Sequence, residues 1–378
     1  MKPVAERIAT TAVFLANGLG IGAWAVEVPR IKEALGLSNA ALGMALFTFA
    51  LGAIVAMPLA GRLAPRFGSG RATAFLGVAF VLALPLPALV PNLALLCAAL
   101  FVLGAANGAL DVSMNGHASM IEGKWQGPIM SSFHAAWSFG GLLGAASGAA
   151  IELYGVGVIG GLVLPDLLIG MLILTGAAVA LRDSGPRAGK VATGLVLPSA
   201  GAMKLAALAF LCMFVEGAVA DWSAVFLRSA LIQQASAAAL GYSAFALAMA
   251  ACRVVGDLGV RRMGSNAVVA LGGCCATVGL TLVLGFPNVV TAVAGFALVG
   301  IGLANIVPVI FSAAGRLTTP SAVGVSMAAT AGYAGFLVGP PLIGLGAGLV
   351  GLRIAMCALL LATLVVGMFG GNAVSQTK

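Results

Sequence analysis

The stretch LALLCAALFVLGAANGALDVSMNGHA, residues 93–118, reads as a helix made for lipid. Its only formally charged side chain is Asp111, and it exceeds the about 20 apolar residues that cross a bilayer with every backbone group bonded internally. The pattern recurs along the chain. Gly, Pro and charge clusters mark apolar segments at Ile8–Val28, Ala40–Ala60, Ala72–Val90, Leu93–Ala118, Ile129–Ile151 and Val156–Leu181. Six more follow at Leu205–Leu227, Ala237–Asp257, Ala267–Phe286, Val289–Ala313, Ala322–Leu349 and Arg353–Phe369. The expected fold is an all-α membrane protein with about twelve transmembrane helices.

Composition agrees. The chain is 61% hydrophobic and 8% charged, with a mean hydropathy of +1.12. A soluble domain carries roughly 25% charged residues to cover its core, so lipid is the solvent here and no length remains for a soluble catalytic domain. Cys97, Cys212, Cys252, Cys274, Cys275 and Cys357 fall in apolar stretches without Cys-x-x-Cys spacing, and read as small buried hydrophobes. The N-terminus, Lys2 to Arg7 followed by an apolar run and Ala23-Trp24-Ala25, has the outline of a signal peptide. Its counterpart in the second half of the chain makes it a first spanning helix instead.

Charge position sets the topology. With the N-terminus inside, internal tails and loops hold Lys2, Arg7, Arg62, Arg66, Arg71, Lys124, Arg182, Arg187, Lys190, Lys204, Arg261, Arg262, Arg316 and Lys378. External loops hold only Arg30, Lys32, Arg228 and Arg353. By the positive-inside rule both termini are expected in the cytoplasm. The same distribution accounts for the net charge of +8 without nucleic acid.

The halves echo each other. Arg66-Phe67-Gly68-Ser69 recurs as Arg262-Met263-Gly264-Ser265, Ala40-Ala41-Leu42-Gly43 as Ala238-Ala239-Leu240-Gly241, and Gly104–Asn107 loosely as Gly300–Asn305. The expected division is a six-helix bundle over 1–181, a cytoplasmic linker over 182–203 and a second six-helix bundle over 204–378. Repeated halves joined by a linker are a transporter design, with the solute site near the midplane.

The loop Gly61-Arg62-Leu63-Ala64-Pro65-Arg66-Phe67-Gly68-Ser69-Gly70-Arg71 resembles the major facilitator superfamily signature between helices two and three, with Pro65 where the family has Asp. Within that superfamily the chain resembles the fucose–proton symporter group and, more closely, the YbjJ-like bacterial inner-membrane permeases. Leu110–Asn115, Glu216–Trp222 and Gly332–Pro341 carry this resemblance. It implies a bacterial inner-membrane location and proton coupling through the helix-four acid, which is Asp111 here. The symporters' helix-one acid falls on Ala25, with Glu27 nearby but out of register. The drug-antiporter branch fits less well, because Leu93–Leu110 lacks its helix-four Arg and Gly140-Gly141-Leu142-Leu143-Gly144 lacks its Pro.

Ionisable side chains inside a span cost several kcal/mol, so each is a candidate by default. Asp111 has Asn115 one turn on along the same face, and a carboxyl in a cavity that alternates between wet and dry can load and release a proton. Glu216 near the midplane is the second proton-coupling candidate. Asp221 lies five residues on, projecting roughly 140° away, and with Trp222 belongs to the solute candidates. Asn115, His134, Trp137, Asn305 and Tyr333 complete that set. Arg253 and Asp257 form an i, i+4 pair read as a gate salt bridge, and Arg62 and Arg66 belong to the same gate. Asp166, near the outer end of its span, reads as a solvated interfacial residue.

Gly18-x-x-x-Gly22, Gly140-x-x-x-Gly144-x-x-x-Gly148 and Gly335-x-x-x-Gly339 let helices approach closely, and Gly339-Pro340-Pro341 should kink its helix. No Walker sequence is present, and no nucleophile, base and metal set marks an enzyme. The expected function is proton-coupled symport of a small polar solute, sugar or sugar-like, by alternating access. The expected partners are that solute, protons and membrane lipid, with no cofactor or metal, in a monomer. The rivals are a proton-driven exporter of drugs or metabolites and a transporter-like sensor.

Overall fold

The computed structural model describes residues 3–180, 199–230, 240–286 and 288–375, and the regular structure among these is all helical. Six helices are α1 Val4–Ala34, α2 Asn39–Phe67, α3 Ser69–Ala83, α4 Leu93–Trp125, α5 Met130–Leu153 and α6 Val158–Ala180. Six more are α7 Ala200–Ala230, α8 Leu240–Met263, α9 Ser265–Gly285, α10 Val289–Leu317, α11 Ser321–Val350 and α12 Leu352–Ser375. Eleven are long and apolar enough to cross a membrane. The twelfth, α5, has 24 residues and is diluted by Ser131, Ser132, His134, Ser138 and Ser147. Most of the expected linker, including Arg182, Asp183, Pro186, Arg187, Lys190 and Pro198, lies outside the described residues.

Several helices overrun the expected apolar segments. α1, for instance, begins at Val4 and ends at Ala34, because backbone hydrogen bonding continues past the last apolar residue into the charged flanks. α10 differs more. It breaks at Ala304–Asn305 into Val289–Leu303 and Ile306–Leu317. Pro308 is the cause, since it has no N–H to return to the Ala304 carbonyl four residues earlier.

The chain divides into two compact units. The first is Met1–Gln126, Phe133–Val196 and Thr318–Ser326, and the second is Gly127–Ser132, Leu197–Leu317 and Met327–Lys378. Within the first, α1 packs on α6 and α4, α2 on α4, and α3 on α4 and α6. Within the second, α7 packs on α12 and α10, α8 on α10, and α9 on α10 and α12. The partners are the same after a shift of six helices, which is the internal repeat seen in three dimensions.

Small residues set these contacts. A Cβ on Gly18 would lie 2.0 Å from the Trp137 carbonyl oxygen and one on Gly144 2.0 Å from that of Leu19, so α1 and α5 touch backbone to backbone. Gly335 against Phe210 and Gly339 against Phe214 repeat the arrangement between α11 and α7. The recurring tetrapeptides are turns: Gly68 (φ 89°) joins α2 to α3 and Gly264 (φ 83°) joins α8 to α9, a conformation costly for any residue with a Cβ. Large apolar side chains point outward, among them Leu167, Met171 and Leu174 of α6 and Leu345 and Leu349 of α11. Such a surface is stable in lipid and not in water.

Candidate functional site

In the first unit three apolar helices converge on a buried polar seam. Asn107, Asp111 and Asn115 fall at i, i+4 and i+8 on one face of α4. Asn115 donates through Nδ2 to Asp111 Oδ1 (3.2 Å) and to the Asp111 carbonyl (2.9 Å), and its Oδ1 accepts from His134 Nε2 of α5 (3.1 Å). One turn back, Asn107 Oδ1 accepts from Asn17 Nδ2 of α1 (2.9 Å), and Asn17 Oδ1 accepts from Trp137 Nε1 (2.9 Å). Phe14 meets the His134 ring edge-on at 5.6 Å and stacks on Phe133 at 5.4 Å, closing the seam with apolar surface. Asp111 Oδ2 is buried and has no hydrogen-bond partner among the described residues.

The seam is therefore an Asp–Asn–His chain beside an Asn–Asn–Trp chain. Amides and an indole orient hydroxyl-bearing ligands, while the open carboxyl oxygen can accept a hydrogen bond or a proton.

The second unit builds its polar cluster around the α10 break. Arg253 of α8 is buried, and its Nε donates to the Ala304 carbonyl (3.1 Å), the group that Pro308 leaves without a helical partner. Asn305 donates to the Cys252 carbonyl (3.2 Å), while its Oδ1 is buried without a partner among the described residues. Glu216 of α7 lies within electrostatic reach of Arg253. The Asp257 carboxylate accepts from the backbone N–H of Ser131 (2.9 Å) and Ser132 (3.2 Å), so an anion sits at the first turn of α5 where the helix dipole favours it. Trp222 Nε1 donates to the Pro340 carbonyl (3.0 Å) of α11, which runs unbroken from Ser321 to Val350 through Pro340 and Pro341. Asp221, Trp222, Val225, Pro340 and Pro341 line a cavity of about 530 Å³ there.

The structure thus brings Asp111, Asn115, His134 and Trp137 together, joins Asn305 to α8, and pairs Asp221 with Trp222 on one cavity. Glu216 does not line that cavity. Tyr333 is half-buried on α11, and Arg62 and Arg66 are exposed near the end of α2. Asp166 departs from the solvated expectation: its Oδ1 is buried in α6, which packs on α1 and α3. Among the described residues no three His, Cys, Asp or Glu stand close enough to hold a metal ion.

Sequence reasoning missed Asn17 and Asn107, because a search for charge inside spans passes over neutral amides. The loose echo of Gly104–Asn107 in Gly300–Asn305 was the available signal. It also missed the Ser131 and Ser132 amides and the Ala304 carbonyl, which are backbone groups with no side-chain signature.

Comparison with known proteins fits this architecture. The family model described as Major Facilitator Superfamily matches residues 10–331. The chain is 36% identical over 364 residues to an uncharacterized MFS-type transporter of Yersinia pestis, covering 95% of this chain and 94% of that one. It is 36% identical to the membrane protein MosC of Rhizobium meliloti, covering 96% and 89%. Among solved structures, the outward conformation of the MFS transporter FucP superimposes with a TM-score of 0.81 at 15% identity, covering 98% of each chain. The human organic anion transporter MFSD10 does so with a TM-score of 0.76 at 16% identity, over 97% and 99%. The twelve-helix fold is thus shared along nearly the whole sequence, and the chain belongs to the major facilitator superfamily of secondary transporters.

Proposed function

We propose that the protein carries a small polar solute, a sugar or sugar-like compound, by alternating access coupled to proton symport. Asp111 is the observation that carries this reading: Asn115 holds Oδ1, Oδ2 is buried with no partner among the described residues, and the groups alongside are amides and an indole. A buried carboxylate oxygen without a donor is costly, and either a proton or a solute hydroxyl relieves it. When proton and solute both favour the same loaded state, their fluxes are coupled.

In this scheme Asp111 and Glu216 load the proton. Asn115, His134, Trp137, Asn305, Asp221, Trp222 and Tyr333 contribute to solute binding, and Arg62, Arg66, Arg253 and Asp257 steady the gates. The bundles are 1–181 and 204–378 with a cytoplasmic linker over 182–203, in a bacterial inner membrane with both termini cytoplasmic. The shared fold with a fucose:proton symporter supports sugar and proton as cargo, and the YbjJ-like permeases are the group the motifs favour.

One feature favours export instead. The cavity beside α7 and α11 has a lone carboxylate, Asp221, next to the Trp222 indole, which suits an organic cation.

Thermal unfolding of the purified protein at two pH values, against sugars, sugar acids, amino acids and hydrophobic cations, separates the two. A ligand selective for the folded state raises the apparent Tm. Symport predicts stabilisation by one sugar class that weakens in Asp111→Asn. Stabilisation by hydrophobic cations, lost in Asp221→Asn and kept in Asp111→Asn, would replace this reading with the export one.

A further inference from the structure

A cavity of about 800 Å³ lies within the first unit, between α2, α3 and Ala109 of α4. Its size falls within the roughly 300–1,000 Å³ typical of small-molecule sites, and it opens on the outward, apolar face of these helices. Leu59, Leu63, Phe75 and Leu76 form the walls. Phe75 is 75% exposed and Leu59 51%, so the walls are unprotected by protein. Arg66 and Arg71 also line it, one on each side of the Gly68 turn at the ends of α2 and α3.

Neither guanidinium has a hydrogen-bond or ion-pair partner among the described residues. The N-terminus of α3 carries no side-chain cap, so the positive end of its dipole sits at the same turn. Two guanidiniums over a long apolar trough are complementary to one kind of molecule: an anionic head with an acyl tail. Solutes for uptake lack the tail, and a soluble peptide has no reason to enter a lipid-facing groove.

We infer that this groove holds one anionic phospholipid, its phosphate between Arg66 and Arg71 and an acyl chain along Leu59, Leu63, Phe75 and Leu76. Arg offers paired donors matched to phosphate oxygens. Bound there, the lipid ties the α2–α3 turn to its leaflet and gives Arg66 a partner where Pro65 supplies no carboxylate. The site is independent of which solute is carried.

The test compares the purified protein in detergent with phosphatidylglycerol, phosphatidylcholine and soluble glycerol phosphate, reading bound lipid by native mass spectrometry and Tm by thermal unfolding. Phosphatidylglycerol should bind and raise Tm, while the other two should do neither. Each Arg→Gln change should weaken it about five-fold, as for one basic residue at an anionic membrane surface, and both together about 25-fold. Arg261→Gln with Arg262→Gln, in the equivalent α8–α9 turn, should leave it unchanged. Phe75→Gln, which keeps both arginines, should weaken it through the lost apolar wall. Equal binding of phosphatidylcholine, equal stabilisation by glycerol phosphate, or undiminished binding in Arg66→Gln/Arg71→Gln would each overturn the assignment.

Discussion

At Asn17 one amide serves two helices: it donates to Asn107 on α4 and accepts from Trp137 on α5. Replacing it with Ala removes one hydrogen bond to each of two neighbouring helices. Hydrogen bonds between membrane helices are worth about 0.6 kcal/mol on average and up to about 1.7, so Asn17→Ala should cost about 1–2 kcal/mol, read as a lower Tm in detergent. Asn17→Ala/Asn107→Ala should be less than additive, because the two amides share one hydrogen bond. Additive losses in that cycle would mean the two amides do not act as a pair. The acids announced themselves in the sequence because charge in lipid is expensive. These amides did not, because their cost is smaller and their function lies in which neighbour they meet.

The elements hold together where glycines remove the side chain between two backbones. Gly18→Val is predicted to prevent α1 from seating on α5, because even a Cβ there would lie 2.0 Å from the Trp137 carbonyl oxygen. Gly43→Ala, with nothing within 4 Å of the added methyl, should be tolerated. Size-exclusion profiles of the two variants in detergent check this, a dispersed Gly18→Val and a monodisperse Gly43→Ala being the expected outcome.

The α10 break yields a second prediction. Pro308→Ala restores an N–H to the Ala304 carbonyl that Arg253 occupies. Arg253→Gln alone should destabilise the protein strongly, and Pro308→Ala should recover part of that loss. Thermal unfolding of the four-protein cycle measures the coupling, and a value near zero would separate the break from Arg253. The helices and the glycine runs at which they approach closely were legible in the sequence, because twenty-residue apolar runs and small-xxx-small spacings have a plain physical reading in lipid, but which helix meets which was not. The break was not, since its cause, Pro308, acts on a carbonyl four residues earlier and its rescuer sits on another helix.

For the whole molecule, the two units repeat one another's packing after a shift of six helices, yet their polar contents differ. The first holds the Asp111–Asn115–His134 chain and the second the Arg253–Asn305 cluster at the α10 break. The repeat was visible in the Arg66–Ser69 and Arg262–Ser265 turns, because a positive-φ glycine between two helices leaves a short sequence trace. The identity of the solute left no such trace, because a seam of amides fits many hydroxylated compounds.

In the proposed scheme Asp111 links proton movement to solute movement. The decisive measurement is flux in proteoliposomes, using the solute class selected by thermal stabilisation, an inward proton gradient and an internal pH-sensitive dye. Wild type should accumulate solute with proton entry, while Asp111→Asn should exchange solute across the membrane without accumulation or proton entry. Full gradient-driven accumulation by Asp111→Asn would mean that Asp111 does not couple the two fluxes.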